Sequence, residues 1–141
     1  MGQLTAKMNW VEGTQFEGTG VFGTKITVDT PKKAGGSEQG YKPTELLLFS
    51  MAGCTAVDVI RILQKQRQDV HSLEVEVTAH HRDEYPKPFH TIEVKYIAKG
   101  KDLDKRKLEK AIELSEQKYC MVSQTVARET EVVCSSEVLS E

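Results

Sequence analysis

The sequence predicts an α+β protein, and three patterns lead to it. Short stretches of alternating apolar and polar residues mark strands, and one long stretch that is apolar all round marks a central helix. The strands come in hairpin-like groups instead of alternating singly with helices, which argues against a doubly wound parallel sheet. The expected order is β-β-β-α-β-β-α-β in a single domain, residues 1–141.

Leu4, Ala6, Met8 and Trp10 alternate with polar residues, the period of a half-buried strand, and Glu12-Gly13-Thr14 turns the chain. Val21-Phe22 and Ile26-Thr27-Val28 read as two more short strands, with Gly18, Gly20 and Gly23 at turns or bulges. Pro31 to Gly40 is polar and glycine-rich and reads as a loop. Pro43 suits a helix start, where its missing N–H is not needed, and good helix formers run from Glu45 to about Arg67. Between Leu46 and Ile60 apolar residues cover nearly the whole circumference, so this helix is expected to be enclosed by protein, against a sheet and a partner helix. A hairpin follows: Val75, Val77, Ala79 and His81 alternate, as do Ile92, Val94, Tyr96 and Ala98, around the turn-rich Arg82 to Pro88. Asp102 or Asp104 caps a second helix with Leu108, Ala111, Ile112, Ser115 and Tyr119 on one face. A short helical turn is expected after Cys120, and Glu131 to Cys134 reads as a final strand in an antiparallel group.

A chain of 141 residues can bury one core. Its 38% hydrophobic content is somewhat low for a monomer and leaves room for a core completed between two subunits. A net charge of −2 with both signs interspersed argues against nucleic acid and membrane-surface partners. The longest uncharged apolar stretch, Leu46 to Val57, falls short of the ~18–20 residues of a spanning helix. The first residues have no apolar signal core, so a cytoplasmic protein is expected. His80 and His81 point to opposite strand faces and cannot share a metal, and the three cysteines lack paired zinc-ligand spacing. No metal or other cofactor is expected.

Cys54 and Cys120 each lie in a stretch built for burial, Leu46-Leu47-Leu48-Phe49-Ser50-Met51-Ala52-Gly53-Cys54-Thr55 and Tyr119-Cys120-Met121-Val122-Ser123. A lone buried cysteine is ordinarily core filler, and Cys134, alternating within a strand, reads that way. Two in comparable settings suggest a pair that meets in space and cycles between dithiol and disulfide. Asp58 lies one helical turn beyond Cys54; as an anion it would disfavour the thiolate, so a hydrogen bond or an ion pair with Arg61 is its expected part.

The strings Pro43-Thr44-Glu45-Leu46-Leu47-Leu48, Ala52-Gly53-Cys54-Thr55-Ala56-Val57-Asp58-Val59 and Tyr119-Cys120-Met121-Val122-Ser123 resemble the OsmC/Ohr family, closest to its YhfA-like branch. The resemblance runs from the Trp10 strand to the last strand. It implies an intertwined homodimer in which antiparallel sheets wrap around long central helices, with active sites at the subunit interface. It also implies a thiol-dependent peroxidase for organic hydroperoxides, free of metal and flavin and serving oxidative stress defence. On that pattern Cys54 is the peroxidatic thiol, Cys120 resolves it into a disulfide, and an external dithiol reductant reopens the bridge. Glu45 matches the carboxylate that in the family holds an activating arginine, shifted one step because Thr44 directly follows Pro43. No arginine precedes Arg61, which leaves Arg82, Lys7 or Lys25 as candidate cations. A helix break at Gly53 would instead give Cys54 a helix N-terminus. Leu47, Phe49 and Met51 are the expected apolar walls for an organic substrate. The other reading is a non-catalytic, redox-linked or apolar-ligand-binding dimer of the same fold, which the missing arginine favours.

Overall fold

A computed structural model describes residues 2–140, which form two compact units, one up to Leu47 and one from Leu48 on. The first is an antiparallel meander of β1 (Met8–Glu12), β2 (Gln15–Thr19) and β3 (Lys25–Val28), with Trp10 opposite Phe16 and Phe16 opposite Val28. Of the alternating residues Leu4, Ala6, Met8 and Trp10, only Met8 and Trp10 fall in β1, and the strand is exposed along its whole length instead of half-buried, with Trp10 67% accessible. Val21 and Phe22, expected in a strand, lie in the turn before β3. The loop after β3 closes on the buried Asp29. Its carboxylate accepts from the Thr14 hydroxyl at 2.7 Å and from the backbone N–H groups of Thr30, Ser37 and Gln39 at 2.8, 3.2 and 3.1 Å. The loop packs so closely that a Cβ at Gly36 would collide with the Thr30 carbonyl.

Those donors, Thr14 first, hold the Asp29 carboxyl below its ordinary value. A lowered folded-state value contributes stability above the unfolded value and loses it as pH falls through the folded one. Loop opening is therefore expected below about pH 4. Emission from Trp10, the one tryptophan, should report it. Asp29→Asn should lose the acid-dependent step; the same acid profile in both proteins would contradict this role.

In the second unit β4 (Asp69–His81), β5 (Phe89–Lys101) and β6 (Glu131–Ser140) form a sheet in the order β4-β5-β6. On the central strand Ile92, Val94, Tyr96 and Ala98 are buried while Glu93 and Lys95 are exposed, the two-residue period of a sheet with one covered face. The hairpin matches expectation, but β6 runs parallel to β5, with Val94 opposite Cys134. A parallel return needs a crossover, and the helical segment between the strands supplies it. That segment consists of α2 (Lys105–Leu114), a wide π-type turn (Ser115–Tyr119) and α3 (Met121–Val126). Asp104 caps α2, accepting from the Arg106 N–H at 2.9 Å; Asp102 sits at φ 52° ahead of it. Leu108, Ala111 and Ile112 face inward, leaving the basic and acidic run of α2 outside.

Helix α1 spans Pro43–Lys65 without a break at Gly53. A Schellman-type turn ends it: Arg67 takes φ 58° and the Gln68 N–H donates to the Leu63 carbonyl at 2.9 Å. Met51, Thr55, Val59 and Leu63, four residues apart, are its buried positions, and Met51, Val59 and Leu63 pack into one core with β5 and α2. As a whole α1 is long and apolar enough to cross a membrane, a property the count of uncharged residues underestimated. One stripe of the helix, Met51, Val59 and Leu63, packs into the core of its own sheet, while Phe49 and Val57 on other faces are exposed.

Candidate redox-active dithiol site

Cys54 sits beside the buried stripe of α1 and is half-buried. Cys120 lies where the π turn gives way to α3. Its N–H donates to the Ser115 carbonyl at 2.7 Å, five residues back, and its backbone is extended. Such wide turns recur at functional sites because they shift side chains out of the regular helical row. Here Cys120 is fully buried while its neighbours Tyr119 and Met121 are 53% and 78% accessible.

The two thiols, both free, meet. The sulfurs of Cys54 and Cys120 and a carboxylate oxygen of Asp58 lie within 4.8 Å of one another. A disulfide of ~2.05 Å thus requires an approach of about 3 Å at most. Among the described residues this is a group of three metal-ligand-type side chains in mutual reach, and no histidine belongs to it. Burial pushes the Cys120 thiol up, and its hydrogen bond with Cys54 adds to that; the Ser123 N–H, donating to its sulfur at 3.4 Å, works the other way. Since α1 runs straight through Gly53, Cys54 has no helix N-terminus of its own; Cys120 is the cysteine at a helix start, capping α3.

Behind the sulfurs runs a chain of hydroxyls that single-residue reasoning did not anticipate. Ser115 Oγ donates to Asp58 Oδ2 at 2.9 Å, and Thr55 Oγ1 lies 2.9 Å from Ser115 Oγ and 2.7 Å from the Tyr96 hydroxyl. The Tyr96 hydroxyl donates to Glu116 Oε1 at 3.1 Å, which also accepts from Ser123 Oγ at 3.3 Å. Thr55, Ser115 and Ser123 are buried, which for polar groups requires such partners. Burial also pushes the Tyr96 hydroxyl far up, so it remains a proton donor. Asp58 makes the expected hydrogen bond, but to Ser115; among the described residues it has no ion pair with Arg61, which lines the same cavity of about 250 Å³ with Ile62, Lys65 and Tyr119. A serine beside the π turn and a threonine directly after the cysteine were the available signals.

Glu45 is engaged at the start of its own helix, where Oε1 accepts from the Lys42 N–H at 2.9 Å, and it lines a cavity together with Lys25. Met51 is a core residue and not a substrate wall, whereas Leu47 and Phe49 are exposed. Cys134 is exposed as a residue, yet burial of its thiol, followed by the Glu116 charge, pushes it up to about 12, in keeping with an inert thiol. Arg82 is turned to the Pro86 carbonyl of its own hairpin loop, and His80 binds Glu93 at 2.7 Å.

The model of the OsmC-like protein family matches residues 35–135. Protein YhfA of Escherichia coli K12 is 35% identical over 137 residues, covering 97% of this chain and 99% of that one. Among solved structures, a hypothetical protein from Aquifex aeolicus VF5 is 34% identical with a TM-score of 0.88, covering 100% of this chain and 99% of its own. The organic hydroperoxide resistance protein OhrB of Bacillus subtilis shares the fold at 22% identity and a TM-score of 0.64, over 95% of this chain and 98% of its own. By extent and identity together, this chain belongs to the OsmC-like family.

Proposed function

We propose that the protein is a homodimeric thiol peroxidase that reduces organic hydroperoxides through Cys54 and Cys120. Family membership points to a peroxide-related redox role, and the observation that supports the finer reading is the meeting of two free thiols within 4.8 Å. Cys54, the more accessible, is the attacking thiol, and Cys120, buried and held up in its protonated form, resolves it. The Cys54 sulfur bonds the distal oxygen, the O–O bond breaks, and an alcohol leaves. Cys120 then displaces hydroxide from the sulfenic acid, its own proton completing water. An external dithiol restores both thiols. No metal or flavin is needed by this chemistry, and the protein acts in the cytoplasm without nucleic acid or membrane partners.

A second copy covers the side of α1 on which Val57 is 49% accessible. The reduced protein mixed with cumene hydroperoxide should consume it and lose two hydrogens in mass. No consumption over many minutes, with both thiols still titratable, would reject the peroxidase and favour a redox-linked binding protein.

A further inference from the structure

A carboxylate beside a thiol opposes its ionisation, yet a carboxylate oxygen of Asp58 lies within 4.8 Å of both sulfurs. The hydroxyl chain behind it resolves the conflict. Between Asp58 and Glu116 there are four contacts, Asp58–Ser115, Ser115–Thr55, Thr55–Tyr96 and Tyr96–Glu116. Three hydroxyls supply three protons. With Ser115 donating to Asp58 and Tyr96 to Glu116, the single Thr55 proton can serve one of its two contacts and leaves the other empty. A proton arriving on Asp58 fills the gap: Asp58 then donates to Ser115, Ser115 to Thr55, Thr55 to Tyr96 and Tyr96 to Glu116. The chain gains one hydrogen bond by accepting a proton at its Asp58 end, within 4.8 Å of the cysteine sulfurs.

We propose that Asp58 is the proton acceptor for Cys54, and that Ser115, Thr55, Tyr96 and Glu116 are positioning residues that make room for that proton. This rests on the reading that Cys54 reacts as a thiolate. The Cys54 S–H proton passes to Asp58, no electrons change hands, and the anionic repeller becomes a neutral donor. In turnover the sulfur pair forms the S–O bond, the O–O pair leaves with the alkoxide, and the alkoxide recovers the proton from Asp58 as the alcohol. Arg61 and Lys65 border the same cavity as Asp58 and add positive charge on its open side.

The test needs no peroxide. Alkylation of Cys54 by iodoacetamide at neutral pH is followed by peptide mass spectrometry in the reduced full-length protein. Thr55→Val removes the unfilled contact, so alkylation should slow about 3- to 10-fold, the factor one hydrogen bond is worth. Thr55→Ser should restore it. Tyr96→Phe cuts the link to Glu116 and should slow the reaction as Thr55→Val does, which keeps the test open if the valine variant folds poorly. Loosened packing would act in the opposite sense, exposing Cys54 and speeding alkylation. Unchanged or faster alkylation in both folded variants, or a serine variant no better than valine, overturns the proposal. Wild type that alkylates as expected but leaves cumene hydroperoxide intact would reject the peroxidase reading alone.

Discussion

Replacing Cys54 by serine is expected to end hydroperoxide consumption, by more than about 10³-fold, the scale on which loss of an enzymatic nucleophile registers. A serine hydroxyl is not ionised near neutrality and cannot pass through a sulfenic acid, and Cys120, fully buried and held protonated, cannot take over the attack. Cys120→Ser should behave differently. Its Cys54 still reacts once, and the sulfenic acid, with no resolving thiol in reach, accumulates or goes on to sulfinic acid. Peroxide loss measured against enzyme concentration separates the cases: none for the Cys54 variant, one equivalent for the Cys120 variant, many equivalents for wild type with excess dithiol. A Cys120 variant that cycles normally would remove the resolving role from this residue.

Val57→Glu is expected to convert the proposed dimer to a monomer. Val57 lies on the exposed side of α1, and burying an unpaired carboxylate between two such helices costs several kcal/mol, enough to weaken association by at least about 10²-fold. Light scattering coupled to gel filtration would show the mass halve at micromolar protein. In the proposed dimer the site lies at the interface, so peroxide turnover should fall with it. A wild-type monomer at that concentration, or a variant that stays dimeric, would contradict the covering of α1 by a second copy.

The elements were largely legible in the sequence because their periods are strong. The four-residue spacing on α2 and the alternation on β5 follow directly from which residues are buried. What misled was local signal without its tertiary partner. Alternation marks β1 as a strand from Met8 on, yet it does not say what covers the strand, and among the described residues Trp10 is left 67% accessible. The direction of β6 depends on the crossover, which a strand pattern does not encode. Gly53 left a break open as one case, and the helix runs through it with Met51, Thr55 and Val59 buried on either side.

At the site, Cys54 and Cys120 were legible through their motifs, and the chain brings them together. The hydroxyl chain was not legible. Thr55, Tyr96 and Ser115 come from α1, β5 and the π turn, are ordinary residue types, and reveal their role only once folding joins their oxygens. Glu45 was legible as a first-turn acid, and its contact with the Lys42 N–H shows that capacity.

The most direct measurement is peptide mapping of the reduced protein after one equivalent of cumene hydroperoxide, without reducing the digest. A single cross-linked species joining the Cys54 and Cys120 peptides, formed within the chain and reversed by a dithiol, is the predicted result. Unlinked peptides with both thiols intact, or a bridge that includes Cys134 instead, would contradict it.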